Sequence, residues 1–326
     1  MTPDAAGDRH RGALVAQSIA LVLLLAATWL VVGASLEGTG AAVVSAGRTG
    51  FTVLGLFALT ALLSVRGDGP HGGAAPARPY RWWQLALLAG TGVTAYTVAS
   101  TVAIELAGPV LPTLVLALTP AVVLAAESAI ARRRPAATAL AGTALAVAGA
   151  VLYVLPRLGG TLGRDVALGT LFALAAMLSM AFYGVYFGRV NRGHRGAMAP
   201  RILPVFAVGT MPLAVWAAVA LARGESVSVA SIGLLAGLGI IIYVPVYLLQ
   251  HRIIVTAGAS YAALLGLATP PLVGVSSALL RLAPVPAPLQ VAGIALTVLG
   301  MAVVLTRGRR RASAPAAEDP VPGRAA

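Results

Sequence analysis

Leu116–Pro135 reads LALTPAVVLAAESAIARRRP. The run is apolar for most of its length. It also carries Pro120 in its middle, a lone carboxylate at Glu127 and three consecutive arginines at its end. A helix buried in a soluble core tolerates that mixture poorly. A helix that crosses a bilayer and ends in a basic anchor accommodates it. A second stretch of the same kind lies downstream: TPAVVLAAE begins at Thr119 and TPPLVGVSS at Thr269. With Pro120 set against Pro271, Pro135 meets Pro286, Gly142 meets Gly293, Leu145 meets Leu296 and Gly149 meets Gly300. The helices that follow, LAGTALAVAGAVL and VAGIALTVLGMAV, align without a gap.

The rest of the chain has the same character. Hydrophobic residues make up 59% and charged residues 10%, with a mean hydropathy of +0.90. A soluble domain has roughly a quarter of its residues charged, so this surface must be covered by lipid. A bilayer core needs roughly 20 apolar residues per helix. Spans are expected at 13–35, 41–65, 82–105, 108–131, 136–156, 166–188, 202–222, 229–250, 257–280 and 286–306. The first follows Arg9 and Arg11 as a signal peptide would, but its apolar run exceeds the roughly 7–15 residues of a signal core. It reads as a retained helix. The expected fold class is therefore an all-α integral membrane protein of ten transmembrane helices.

All 23 basic residues are arginine, and the net charge is +13. With the N-terminus in the cytoplasm, 18 of them fall in cytoplasmic segments and 4 (Arg157, Arg164, Arg223, Arg281) on the opposite side, with Arg48 inside a span. That asymmetry orients the chain with both termini cytoplasmic in the plasma (inner) membrane. The RGRRR of Arg307–Arg311 reads as a stop-transfer anchor, not as a nucleic-acid patch. The tail 307–326 is basic, then rich in Pro and Ala, and is expected to be disordered. The segment 67–79 is a Gly/Pro-rich loop. Absence of cysteine excludes disulfides and thiolate chemistry.

The duplication divides the chain into 1–156 and 157–306, five spans each. Five is odd, so the second copy is expected upside down relative to the first. Inverted repeats of this kind build transporters with a midplane site between the halves. The G-x6-G pairs Gly142/Gly149 and Gly293/Gly300 each mark a helix face that lets another helix approach closely.

The chain resembles the EamA-type transporters of the drug/metabolite transporter superfamily. The resemblance rests on Ala117–Pro120 (ALTP) and Ala268–Pro271 (ATPP) with the helices after them. It extends to AGRTGFTVLGL with Arg48 and to LFALAAMLSMAFYGVY of the sixth span. It implies a ten-helix fold in two inverted repeats and transport of a small solute. One feature departs: where the family often has a glutamate after the fourth-span proline, this chain has Arg133, and Pro284 in the second copy. That glutamate's role cannot be carried over to Glu127.

Catalytic patterns are absent: no HExxH, no G-x-S-x-G, no P-loop and no lysine. No enzyme activity, cofactor or metal is expected. His10, His71, His194 and His251 fall at or outside the expected span ends. The polar residues within spans are the candidates. A cation inside a span costs at least about 2.5–3.5 kcal/mol and should face protein or water, which makes Arg48 the first candidate for substrate binding or gating, against snorkelling to the interface. Trp29, Tyr96, Tyr183, Tyr243 and Tyr247 are candidates for the cavity wall. Tyr243, Tyr247, Gln250 and His251 share one helix face. Glu127 and Glu105 are the candidates for ion coupling. Glu127 has the alternative of pairing with Arg132–Arg134, and Glu105 of closing an interfacial stripe with Thr94, Thr97 and Thr101. Pro120, Pro245 and Pro271 are candidate hinges. Trp82 and Trp83 read as interface-belt residues.

The expected function is secondary transport, by alternating access, of a small metabolite or drug-like solute that is exported or exchanged. The expected partners are the lipid bilayer and that solute, with no nucleic acid; a homodimer stays open. The rival readings are a same-fold carrier of phosphorylated or nucleotide sugars and a non-transport polytopic membrane protein.

Overall fold

The computed structural model describes residues 3–35, 39–66, 79–107, 110–156, 165–279, 281 and 285–312. The described residues form helices and no strands. In chain order they are α1 (Pro3–Ser35), α2 (Ala41–Val65), α3 (Trp82–Ala89), a first π-helical segment (Gly90–Ala95) and α4 (Tyr96–Ala107). Next come α5 (Val110–Leu116), α6 (Thr119–Ala131) and α7 (Ala137–Val154). The second half holds α8 (Val166–Val190), α9 (Ala199–Ala222), α10 (Val229–Ala236), a second π-helical segment (Gly237–Tyr243) and α11 (Val244–Ala257). It closes with α12 (Ala259–Gly266), α13 (Thr269–Leu279) and α14 (Pro288–Ala312).

Among the described residues, seven helical stretches are long and apolar enough to cross a membrane. They are Ala41–Val65, Trp82–Ala107, Leu114–Ala131, Ala137–Val154, Val166–Val190, Ala199–Ala222 and Val229–Ala257. Gly12–Thr28, Ala259–Val273 and Pro288–Val304 are shorter apolar helices. Large apolar side chains such as Leu23, Phe57, Leu171, Met211 and Ile241 stand exposed on the outside. So much outward apolar surface needs a lipid solvent. This is the build of a multi-pass all-α membrane protein. Trp82 and Trp83 are both exposed at the start of α3.

Two expected spans are broken. The run 108–131 turns at Ala117–Leu118, and the run 257–280 turns at Leu267–Ala268, in each case just before the TP or TPP sequence. Proline has no N–H to give and a φ suited to a first helical turn. Pro120 therefore sits in the first turn of α6, and Pro271 in that of α13. Pro245 likewise opens α11 directly after the second π segment. A third difference concerns the eighth expected span, which runs on to Ala257. The apolar Ile253–Val255 continues the helix past Gln250, His251 and Arg252. His251 is consequently in the body of α11 and buried, not at a span end.

The duplicated glycines meet one another. A Cβ on Gly149 would lie 2.4 Å from Thr297 N and 2.7 Å from Gly293 O; one on Gly293 would lie 2.7 Å from Gly149 O. A Cβ on Gly142 would lie 2.9 Å from Gly300 O, and one on Gly300 would lie 2.6 Å from Gly142 O. Gly142 pairs with Gly300 and Gly149 with Gly293, so α7 and α14 run antiparallel at backbone contact. The Thr297 hydroxyl, buried in this crossing, donates to Gly293 O at 2.9 Å. Small residues at such a crossing replace the hydrophobic drive that lipid removes. Gly293→Leu should therefore lower thermal stability of the purified protein by about 1–3 kcal/mol, the range for overpacking. Gly233→Ala, with nothing within 4 Å of its Cβ, should melt like wild type. Thermal denaturation in detergent distinguishes the two.

Candidate functional site

The third and eighth expected spans carry the same irregularity in the same place. LLAGTGVTAY (Leu87–Tyr96) and LLAGLGIIIY (Leu234–Tyr243) each turn π-helical at the first glycine, Gly90 and Gly237. A π segment widens the helix and displaces backbone groups from the regular ladder, and such segments concentrate at functional sites. The second glycine of each takes a close neighbour. A Cβ on Gly92 would lie 2.2 Å from the Tyr183 ring, and one on Gly239 would lie 2.8 Å from Arg48 O. Threonines pin the contacts: Thr52 of α2 donates to Gly239 O at 3.2 Å, and Thr94 of the first π segment donates to Gly209 O of α9 at 2.7 Å.

Tyr96 directly follows the first π segment and Tyr243 ends the second, and both tyrosines come within electrostatic reach of Arg48. Arg48 Nη1 donates to Tyr243 Oη at 3.1 Å, and its guanidinium carbon lies 5.7 Å from the centroid of that ring. Tyr247 is the third electrostatic neighbour. Among the described residues no carboxylate approaches Arg48. Arg48, Tyr96 and Tyr247 are half-buried and Tyr243 is buried. Arg48 thus points into the protein and does not snorkel outward.

From Arg48 an aromatic column runs down one face of α11. Tyr243 and Tyr247 stack with ring centroids 5.2 Å apart and planes within 12°. Phe206 of α9 flanks Tyr247 at 4.4 Å, and Phe187 of α8 meets the His251 ring at 4.5 Å, edge to face. His251 Nδ1 lies 2.6 Å from Tyr247 O. A carbonyl only accepts, so Nδ1 carries the proton, and in the neutral ring Nε2 accepts from the Tyr183 hydroxyl. Tyr96, Tyr243 and Tyr247 thus gather at Arg48, and Tyr183 joins the column at its other end through His251. His251 shares the face of Tyr243 and Tyr247 as expected, but it is buried in the column where a span-end position was expected. Its position eight residues after Tyr243, two turns on, was the available signal. Trp29 lies in α1, but its side chain falls outside the described residues.

Glu127 bonds the start of α12 and not the adjacent arginines. Its carboxylate accepts from Ala259 N at 3.2 Å and from the Ser260 hydroxyl, and its hydrogen bonds do not go to Arg132–Arg134. It caps the first turn of α12, whose N–H groups have no helical partner. Gly258, at φ +97°, makes the sharp entry to that turn. This is a contact between the two halves of the chain, from α6 to α12. Two other hydrogen bonds also join the halves. Ser18 of α1 hydrogen-bonds Tyr261 at 2.9 Å, and Tyr80 donates to Asn191 Oδ1 at 3.0 Å. Arg201 also donates to Asn191, and its guanidinium sits 3.7 Å from the Tyr80 ring centroid. Burial pushes the Tyr80 phenol up, partly offset by the Arg201 charge. Burial also holds His194, between Arg201 and Arg252 in the same region, below the usual histidine range.

Glu105 is exposed on α4. The threonines of its stripe serve packing: Thr94 binds α9, Thr97 is buried, and Thr101 meets Ser45 of α2 at 3.2 Å. Tyr186 stacks on Phe182 at 5.6 Å beside the Trp83 ring, away from the column. Among the described residues, no cluster of three or more His, Asp or Glu side chains is placed to hold a metal ion.

No family profile matches the chain, and no curated protein matches it in sequence. A solved crystal structure of another protein matches with a TM-score of 0.71 at 22% identity, covering 92% of this chain and 99% of that one. At that identity the likeness establishes a shared fold. The protein is a multi-pass all-α membrane protein whose polar interior centres on one arginine and a column of aromatic side chains.

The capping role of Glu127 has a measurable consequence. Glu127→Ala should cost about 0.5–2 kcal/mol, as loss of a helix cap does. A double-mutant cycle with Ser260→Ala should show coupling, whereas a cycle between Glu127→Ala and Arg133→Ala should be additive. Denaturation of the four variants in detergent measures both.

Proposed function

We propose that this protein is a secondary transporter that exports or exchanges a small solute across the plasma membrane by alternating access. In this reading ten helices span the bilayer in two inverted five-helix repeats of the EamA type, with both termini in the cytoplasm. The observation that carries it is the meeting of Tyr96 and Tyr243, equivalent positions of the repeated LLAGxGxxxY, at Arg48. A site built from equivalent positions of two repeats lies at their junction, where inverted-repeat carriers bind substrate. The reciprocal pairing of Gly142 with Gly300 and Gly149 with Gly293 supports the same symmetry: exchanging the repeats turns one pair into the other.

Side-chain contacts join the halves near both ends of the spans. On the side assigned to the cytoplasm are Glu127 with Ala259 and Ser260, Ser18 with Tyr261, and Tyr80 with Asn191. On the other side Thr39 donates to Ser231 at 2.7 Å. Opening toward the cytoplasm would break the cytoplasmic contacts and keep the one on the other side; opening outward would do the reverse. The proline-started helices α6, α11 and α13 adjoin turns or π segments, where the backbone ladder is already interrupted, and these are the places for the motion to be absorbed.

Proteoliposomes containing the protein should exchange at least one solute from a labelled metabolite panel, with or without a pH gradient. Arg48→Ala should reduce that flux at least tenfold while the protein remains folded. Absence of flux for every solute under every gradient would contradict the reading. Normal flux in Arg48→Ala would remove Arg48 from the mechanism.

A further inference from the structure

Resting on the transporter reading above, we propose that the solute is a small aromatic monocarboxylate, its carboxylate held by Arg48 and its ring against Tyr243 and Tyr247. The sign follows from the charges present. Among the described residues, the electrostatic neighbours of Arg48 are Tyr243, Tyr247 and Tyr96. The described carboxylates are committed or remote. Glu127 caps α12, Asp165 accepts from Leu168 N at the start of α8, Glu105 is exposed, and Glu225 packs on Gly40 at the start of α2. A cationic solute would face an uncompensated guanidinium in a low-dielectric interior, whereas an anion would satisfy it.

The magnitude of the charge follows from the same count. One guanidinium balances one negative charge, and the chain has no lysine to add a second. A phosphate ester or nucleotide sugar would bring charge that no second described cation beside Arg48 neutralises. Arginine carries five N–H donors in a planar fork suited to a carboxylate. Tyr243 takes one of them. Arg48 is half-buried, and the remaining donors of the fork are the ones a ligand would take.

The shape of the body follows from the walls. Tyr243 and Tyr247 present nearly parallel rings, and Phe206 extends the aromatic surface beyond them. Aromatic pairs favour offset-stacked or edge-to-face contacts that add to simple burial. A sugar would need many hydrogen-bond partners, and the polar groups around Arg48 are phenol hydroxyls, which suit a carboxylate and an apolar ring better.

Binding to the full chain in lipid nanodiscs, measured by calorimetry, tests the assignment with four probes that share a phenyl ring. These are phenylacetate (monoanion), phenylethanol (neutral), phenethylamine (cation) and phenyl phosphate (up to two negative charges). Phenylacetate should bind at least tenfold tighter than each of the others. Arg48→Ala should lose at least tenfold in phenylacetate affinity, Arg48→Lys should lose less, and Tyr247→Leu should weaken it severalfold. Melting curves establish that each variant is folded; if Arg48→Ala is not, Arg48→Lys and Tyr247→Leu carry the test. Preference for the amine or the phosphate, equal affinity in the folded arginine variants, or no binding of phenylacetate would overturn the proposal. Efflux of a loaded metabolite mixture from proteoliposomes, followed by mass spectrometry, separates the two levels. If solutes move but aromatic monocarboxylates do not, the transport reading stands and the substrate class falls. If nothing moves, both fall.

Discussion

The backbone contact between α7 and α14 is the constraint on which the rest of the structure depends. Four glycines let the two helices touch without side chains between them, and any Cβ added at Gly149, Gly293 or Gly300 would collide with backbone atoms. Within lipid, apolar side chains gain little by leaving the solvent, so close packing and buried hydrogen bonds must hold helices together. This crossing joins the last helix of one half to the last helix of the other. It leaves the remaining helices of each half to form the interior wall around Arg48.

Arg48 is the second organising element, and its surroundings follow from the cost of a buried cation. An ionised group away from water needs hydrogen bonds or opposite charge. Among the described residues the protein supplies a tyrosine hydroxyl, the face of the same tyrosine ring and two further phenols, and no carboxylate. The arrangement makes the charge tolerable without cancelling it. A site that cancelled it with a buried glutamate would have little attraction left for an anion. The two π segments deliver the phenols, because the widened turn and the close approach at Gly92 and Gly239 set where Tyr96 and Tyr243 emerge.

Much of the helical layout was legible in the sequence, because membrane helices announce themselves by length and hydropathy. The glycine face was legible too, since Gly142, Gly149, Gly293 and Gly300 recur at fixed spacing. The breaks before Pro120 and Pro271 were not, because an apolar run reads the same whether or not its hydrogen-bond ladder is interrupted. The repeated LLAGxGxxxY was present but easily missed. It recurs from Gly90 to Gly237, whereas the proline pair recurs from Pro120 to Pro271, so one alignment register conceals the other. Arg48, Tyr243 and Tyr247 could be named from polarity and helical phase. The partners of Glu127 could not, because Ala259 and Ser260 are brought to it only by the packing of α12 on α6.

The symmetry itself is the central claim, and the absence of cysteine makes it directly testable. Ala131 and Arg281 stand at the ends of equivalent helices, α6 and α13. If the repeats are inverted, these residues face opposite sides of the membrane. Single variants Ala131→Cys and Arg281→Cys, treated in intact cells and in inverted membrane vesicles with a membrane-impermeant maleimide, measure this. The account predicts that Ala131→Cys labels only from the cytoplasmic side and Arg281→Cys only from the opposite side. Labelling of both from the same side would contradict it.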